Sequence, residues 1–110
     1  MALGEFDLIA RYFLNPESSD VVLGIGDDAA IVAVPPDQQL LITTDTLNVG
    51  VHFPSHTSAT DIAFKTVAVN VSDIAAMVGK PKWATLNLSM PSVDESWLSE
   101  FATTLKHQLN

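Results

Sequence analysis

Asp27 and Asp28 stand side by side in the run Gly24-Ile25-Gly26-Asp27-Asp28, and two further aspartates, Asp45 and Asp73, fall in settings that suit oxygen chemistry. Glycines at 24 and 26 would let the backbone approach a phosphate while a neighbouring carboxylate holds a metal. Asp45 lies in Thr43-Thr44-Asp45-Thr46, where hydroxyls, carbonyls and a carboxylate together offer hard ligands suited to Mg²⁺. Asp73 follows Thr66 and Asn70 at i, i+4 and i+7, on one face of an otherwise apolar helix. A carboxylate on a buried helix is costly unless it is paired or binds a metal. His52, in Gly50-Val51-His52-Phe53, could hydrogen-bond a phosphate or a heterocycle.

Each feature also has a plainer reading. Asp27 or Asp28 could make a local bond within its turn, and the threonines around Asp45 could simply begin a loop. Asp73 could pair with Lys65 or Arg11, and a lone loop histidine is usually incidental. The combination is what favours metal chemistry. Carboxylates brought together repel, and divalent cations bridged by a triphosphate remove that cost. Phosphoryl transfer asks for this arrangement, because metals neutralise developing charge and align nucleophile with leaving group. The chain has no G-x-x-x-x-G-K-[ST] run, and G-x-G-D-D is not the kinase glycine loop, so an ATP site here must be of another type. Gly26, Asp27 and Asn70 are its candidate nucleotide-binding residues. No residue is singled out as catalytic.

The elements that must position these groups can be read from periodicity and punctuation. Apolar residues at helical spacing predict a helix over residues 6–13, closed by Asn15-Pro16. Residues 29–34 and 40–46 read as two strands of a hairpin, joined by the Pro35-Pro36-Asp37 turn. Ser58 and Asp61 have the spacing of a helix start, and the helix should run to about residue 78 and stop at Gly79. It is apolar on nearly every side, which predicts a buried helix. Alternation over residues 84–90 predicts a half-buried strand. Ser92 to Glu95 reads as a capping box for a last helix striped by Leu98, Phe101, Leu105 and Leu109. The expected fold is α/β (α+β), an αββαβα layer with a small mixed β-sheet.

Bulk composition narrows the function classes. The chain has 110 residues, one domain's worth, and 47% of them are hydrophobic, which argues against disorder. Net charge is −8, from 13 acids against 5 bases, too few cations to neutralise a nucleic-acid backbone unaided. No apolar run is long enough to span a membrane, and Glu5, Asp7 and Arg11 interrupt any signal-peptide pattern. There is no cysteine, hence no disulfide or thiolate metal site. A cytoplasmic protein is the default expectation.

The text LGIGDDAAIV, ITTDTLNVGVHF, AVNVSDIAAMVG and VDESWL, in this order and spacing, resembles the thiamine-monophosphate kinases. That family shares a superfamily with aminoimidazole ribonucleotide synthetase and selenophosphate synthetase. The resemblance covers essentially the whole chain. One departure is Val78, standing before the glycine where the family text reads AMG. The resemblance implies transfer of the ATP γ-phosphate onto thiamine monophosphate, giving thiamine diphosphate. It also implies that Asp28, Thr43, Thr44, Asp45 and Asp73 are Mg²⁺ ligands, with Asp27 a neighbour or further ligand, and that His52 contacts the substrate. It implies a homodimer formed through the N-terminal β-sheet. Family members continue through a GGDTTR-like segment and a C-terminal α/β domain, so residues 1–110 are expected to be a truncated N-terminal Mg-ATP and dimerisation domain, inactive alone. Exposed strand edges would then favour dimerisation or irregular assembly. The competing expectations are a related ATP-dependent synthetase of the superfamily, or a non-catalytic Mg²⁺-binding and dimerisation module.

Overall fold

The computed structural model describes residues 4–14, 19–48 and 56–109, which fall into two compact units, Met1–Leu40 and Leu41–Asn110. Its element order is α1 (Glu5–Tyr12), β1 (Val21–Leu23), β2 (Ile31–Val32), α2 (Ala59–Ala76) and α3 (Glu95–Leu109). The mixed α/β class expected from the sequence holds. The αββαβα string does not, because the described elements run αββαα and their sheet is a single antiparallel pair.

In the N-terminal unit, α1 forms where the 3.6-residue pattern predicted it. Acids crowd its first turn and Arg11 its last, as the helix dipole favours. The Asp7 carboxylate accepts the Gly4 N–H at 3.3 Å, and Leu8 is its buried residue. The proposed stop at Asn15-Pro16 lies outside the described residues. The hairpin is not the predicted one. Val21 pairs with Val32 and Leu23 with Ile31, with an irregularity between them, and the Ala33 N–H extends the pairing to the Asp20 carbonyl at 2.7 Å. What reverses the chain is the glycine turn after β1, where Gly26 takes φ +120°, open to glycine and strained for other residues. The Pro35 turn does form, closed by Gln38 N–H to the Pro35 carbonyl at 3.1 Å.

In the C-terminal unit, α2 begins as its sequence requires. Ser58 Oγ accepts the Asp61 N–H at 3.1 Å, satisfying one of the helix's unpaired donors. The other end closes in a Schellman arrangement, with Gly79 N–H bonded to the Ile74 carbonyl and Val78 N–H to the Ala75 carbonyl, both at 2.9 Å. Val78 occupies the left-handed position, at φ +58°. Gly79 follows it in a tight place: a Cβ there would stand 2.8 Å from Leu41 Cδ2 and 3.0 Å from Ile74 Cγ2.

The cap of α3 is displaced from the predicted Ser92. Asp94 Oδ1 accepts the Trp97 N–H at 3.1 Å, and the Asp94 carbonyl takes the Leu98 N–H at 3.0 Å. A carboxylate directly before the first turn makes the stronger, charge-assisted cap. Helices α2 and α3 pack together. Ala59 and Ala63 are the buried residues of α2, and Leu98, Phe101, Ala102 and Leu105 those of α3. Small residues on one helix let the large ones of the other come close, and Trp97 stacks on Phe101 with ring centroids 5.0 Å apart.

Two further expectations fail here. Helix α2 is not buried all round: Phe64 is 55% and Val71 40% exposed, because α3 covers one side of it. Residues 40–46 and 84–90 run without strand pairing. Their alternation marks faces, but a strand needs a partner edge, and none pairs with them among the described residues.

Candidate functional site

The geometry that matters lies in the C-terminal unit, where Asp45 precedes α2 in sequence and Asp73 sits in its last turn. A cleft of about 440 Å³ is lined by Asp45, Thr46, Leu47, Lys65, Ala68, Val69, Ser72 and Asp73. The α2 members follow from helix periodicity, since positions 65, 68, 69, 72 and 73 share one face. The lining combines one basic, two acidic, two hydroxyl and three apolar residues.

The side chains of Asp45 and Asp73 lie close enough for Asp45 to perturb Asp73. The Asp73 carboxyl is accordingly raised above the ordinary carboxylate range, first by its hydrogen bond to Asp45, then by loss of water around it and by the like charge of Asp45. Asp73 is exposed, contrary to the expectation of a carboxylate on a buried helix. Its perturbation comes from the facing carboxyl, not from the core.

The remaining predicted residues fall elsewhere. Thr43 is half-buried and Thr44 exposed, and neither lines the cleft; Thr46 does. Asn70 spends its amide N–H₂ on the Thr66 carbonyl at 2.8 Å, and the Thr66 hydroxyl donates to the Ile62 carbonyl at 2.7 Å, so both side chains are engaged along their own helix. Asp27 and Asp28 are exposed in the glycine turn of the N-terminal unit with Gly26, and the Asp28 N–H donates to Asp27 Oδ1 at 2.8 Å. That is the local bond of the plainer reading, and it leaves the other oxygen of Asp27 and both of Asp28 outward. His52 lies outside the described residues. Within either unit, among the described residues, no three His, Asp or Glu side chains gather as a ready metal cage. No described helix is long and apolar enough to cross a membrane.

Sequence reasoning passed over Ser72, named Thr46 only as part of its motif and treated Lys65 only as a counter-charge. The signal for Lys65 and Ser72 was present, at i−8 and i−1 from Asp73 on the helical face that turned out to line the cleft.

Comparison with known proteins bears on what such a cleft is for. The family described as “AIR synthase related protein, N-terminal domain” matches residues 26–110. The chain is similar to thiamine-monophosphate kinase of Haemophilus influenzae, at 52% identity over 99% of this chain and 34% of the relative. With the enzyme of the same name from Escherichia coli K12 it shares 53% identity over its whole length and 34% of the relative. The crystal structure of thiamine-monophosphate kinase from Stenotrophomonas maltophilia K279a superposes with a TM-score of 0.75 at 50% identity, covering 83% of this chain and 29% of that one. The chain thus spans about a third of the length of the curated relatives it matches.

Proposed function

This chain belongs to the AIR synthase related family by its N-terminal domain, and on that premise we propose that the natural protein phosphorylates thiamine monophosphate to thiamine diphosphate at the expense of ATP. Relatives matched over the whole chain carry that enzyme's name, and the identity to them is high. The observation that carries the reading is the Asp45–Asp73 pair facing across the cleft. Two carboxyls whose like charges stand this close gain most when a cation is bound between them.

The donor set fits Mg²⁺. Carboxylates and the hydroxyls of Thr46 and Ser72 are hard oxygen ligands, and no sulfur or imidazole competes among the cleft's residues. In this reading Asp45 and Asp73 hold the ion, with the hydroxyls of Thr46 and Ser72 beside it, while Thr43, Thr44, Asp27 and Asp28, expected as ligands from the sequence, are not part of this cleft's lining. Bound there, Mg²⁺ would neutralise the charge of the phosphates between which the transfer occurs. Asp45 and Asp73 would hold the ion, and through it the phosphates, in one orientation. Leu47, Ala68 and Val69 give the cleft an apolar stretch of wall. Gly26, with its open backbone, together with Asp27 and Asn70 would meet the nucleotide, and His52 the thiamine phosphate.

The residues described here make the acidic half of the site, and the relatives' additional length supplies the rest in this reading. The protein would act as a cytoplasmic homodimer paired through its N-terminal sheet. The test is Mg²⁺-dependent formation of thiamine diphosphate from ATP and thiamine monophosphate by the natural protein. Asp73→Asn should abolish it while circular dichroism and melting behaviour stay those of a folded protein. Undiminished turnover by that variant would show that the pair is not the metal site.

A further inference from the structure

Ser72 enters the scheme above only as a neighbour of the ion, yet its setting gives it a more definite task. At 3.6 residues per turn, positions 65, 68, 69, 72 and 73 span an arc of roughly 140° on α2, and all five line the cleft. Ser72 is exposed and falls inside that arc, between Ala68 and Asp73, so its short side chain stands on the face that borders the cleft. It is the chain neighbour of Asp73, with Cα atoms about 3.8 Å apart, which brings an anion tethered to Asp73 by a cation within its reach. Polar side chains earlier on the helix are spent on the helix itself. The Thr66 hydroxyl donates to the Ile62 carbonyl at 2.7 Å, and the Asn70 amide to the Thr66 carbonyl at 2.8 Å. The Ser72 hydroxyl makes no such bond among the described residues, whereas Lys65, the basic residue of the lining, already has an interaction partner.

Phosphate oxygens are acceptors, and ionised carboxylates are acceptors too, so Asp45 and Asp73 can hold a phosphate only through the ion between them. The phosphate oxygens turned away from the ion still need donors. The backbone N–H groups of α2 around position 72 are bonded within the helix and cannot serve. A serine hydroxyl can, since it donates one hydrogen bond whatever it accepts. The geometry points to Ser72 as a substrate-positioning residue whose hydroxyl donates to a non-bridging phosphate oxygen of the metal-bound nucleotide. This rests on the Mg²⁺-phosphate reading of the cleft. The ion alone leaves the phosphate free to turn about it, and a second contact from beside Asp73 fixes that rotation. The hydroxyl keeps its proton and takes no part in bond making. A hydrogen bond to a charged acceptor corresponds to about tenfold or more in affinity.

Calorimetric titration of the natural protein tests this without reading turnover. Wild type, Ser72→Ala, Ser72→Thr and Ser72→Val are titrated with Mg²⁺ alone and with Mg²⁺-ATP. Ser72→Ala removes one oxygen and leaves the best helix former in its place, so the helix is retained. The expected result is that Ser72→Ala weakens Mg²⁺-ATP about tenfold and leaves Mg²⁺ alone within about twofold. Ser72→Thr keeps the hydroxyl and should bind Mg²⁺-ATP close to wild type, while Ser72→Val, of the same shape without it, should match Ser72→Ala. Mg²⁺-ATP binding unchanged in Ser72→Ala would overturn the assignment and leave the carboxylate site standing. An equal loss for Mg²⁺ alone would make the hydroxyl a ligand of the ion or a shaper of its site, and would overturn the assignment too. If Ser72→Ala fails to fold, the threonine and valine variants decide: a gap of about tenfold between them for Mg²⁺-ATP sustains the proposal, and equal binding sinks it. A wild-type protein that binds neither Mg²⁺ nor Mg²⁺-ATP would remove the underlying reading as well.

Discussion

Replacing Val78 with glycine should stabilise the protein, and the size of the gain can be worked from the end of α2. Val78 holds the left-handed position of the Schellman turn at φ +58°, where its Cβ crowds the backbone. That conformation costs an L-residue about 1–2 kcal/mol, and a β-branched side chain is among the least suited to it. The side chain is 95% exposed, so its removal sacrifices almost no packing. Against the gain stands the greater freedom of glycine in the unfolded chain, about 0.5–1 kcal/mol. The balance favours Val78→Gly by about 0.5–1 kcal/mol, which for a domain of this size is a rise in Tm of about 2–8 °C. Thermal melts and urea titrations of the two proteins measure it, with the urea slope unchanged if only the native turn is affected. The adjacent substitution Gly79→Ala should act in the opposite sense by about 1–3 kcal/mol, because its Cβ would stand 2.8 Å from Leu41 Cδ2 and 3.3 Å from the Ile74 carbonyl oxygen. A Val78→Gly protein that melts at or below the wild-type temperature would refute the strain argument.

The carboxyl pair predicts a pH dependence of fixed sign. The Asp73 carboxyl titrates above its ordinary value of 3.8 in the folded protein, so its favourable contribution is complete below that value and is lost as pH rises through the raised one. Without metal, Asp73→Asn should therefore be at least as stable as wild type at neutral pH, with the difference vanishing below about pH 4. Added Mg²⁺ should raise the Tm of wild type and not of the variant; melts across pH with and without Mg²⁺ would expose either error. The cap of α3 gives a separate check. Asp94→Ala should cost about 1 kcal/mol in denaturant titrations and Ser92→Ala almost nothing, and the reverse order would restore the predicted box.

What was legible in the sequence was what local forces decide. Ser58 and Asp61 announced the start of α2 because a cap is written within four residues, and Gly79 marked its end for the same reason. Residues 40–46 and 84–90 were misread because alternation records which side chains share a face, whereas a strand exists only against a partner remote in sequence. The hairpin was misplaced for a related cause: Gly24 and Gly26 were read for the phosphate they could admit, while the turn they make returns the chain onto Val21–Leu23. Of the site, the residue types were legible and one distance was not. Nothing in the spacing of Asp45 and Asp73 says that they meet, and nothing in Thr43-Thr44-Asp45-Thr46 says which threonine joins the cleft. The burial of Asp73 was overdrawn because an apolar helix was assumed to be covered on every side.

The packing of α2 has a mechanical side. Both of its buried residues, Ala59 and Ala63, lie in its first half, and helix α3 packs against it. Asp73 lies ten residues beyond Ala63, about 15 Å along the axis. The helix is therefore a lever with its fulcrum near one end and a reactive carboxyl near the other. A tilt of only about 4° at the fulcrum carries Asp73 through about 1 Å, a displacement that can cost about a hundredfold in rate where groups must be aligned. Small side chains at 59 and 63 then govern more than packing density: they set the stiffness of the pivot on which the distance from Asp73 to Asp45 depends.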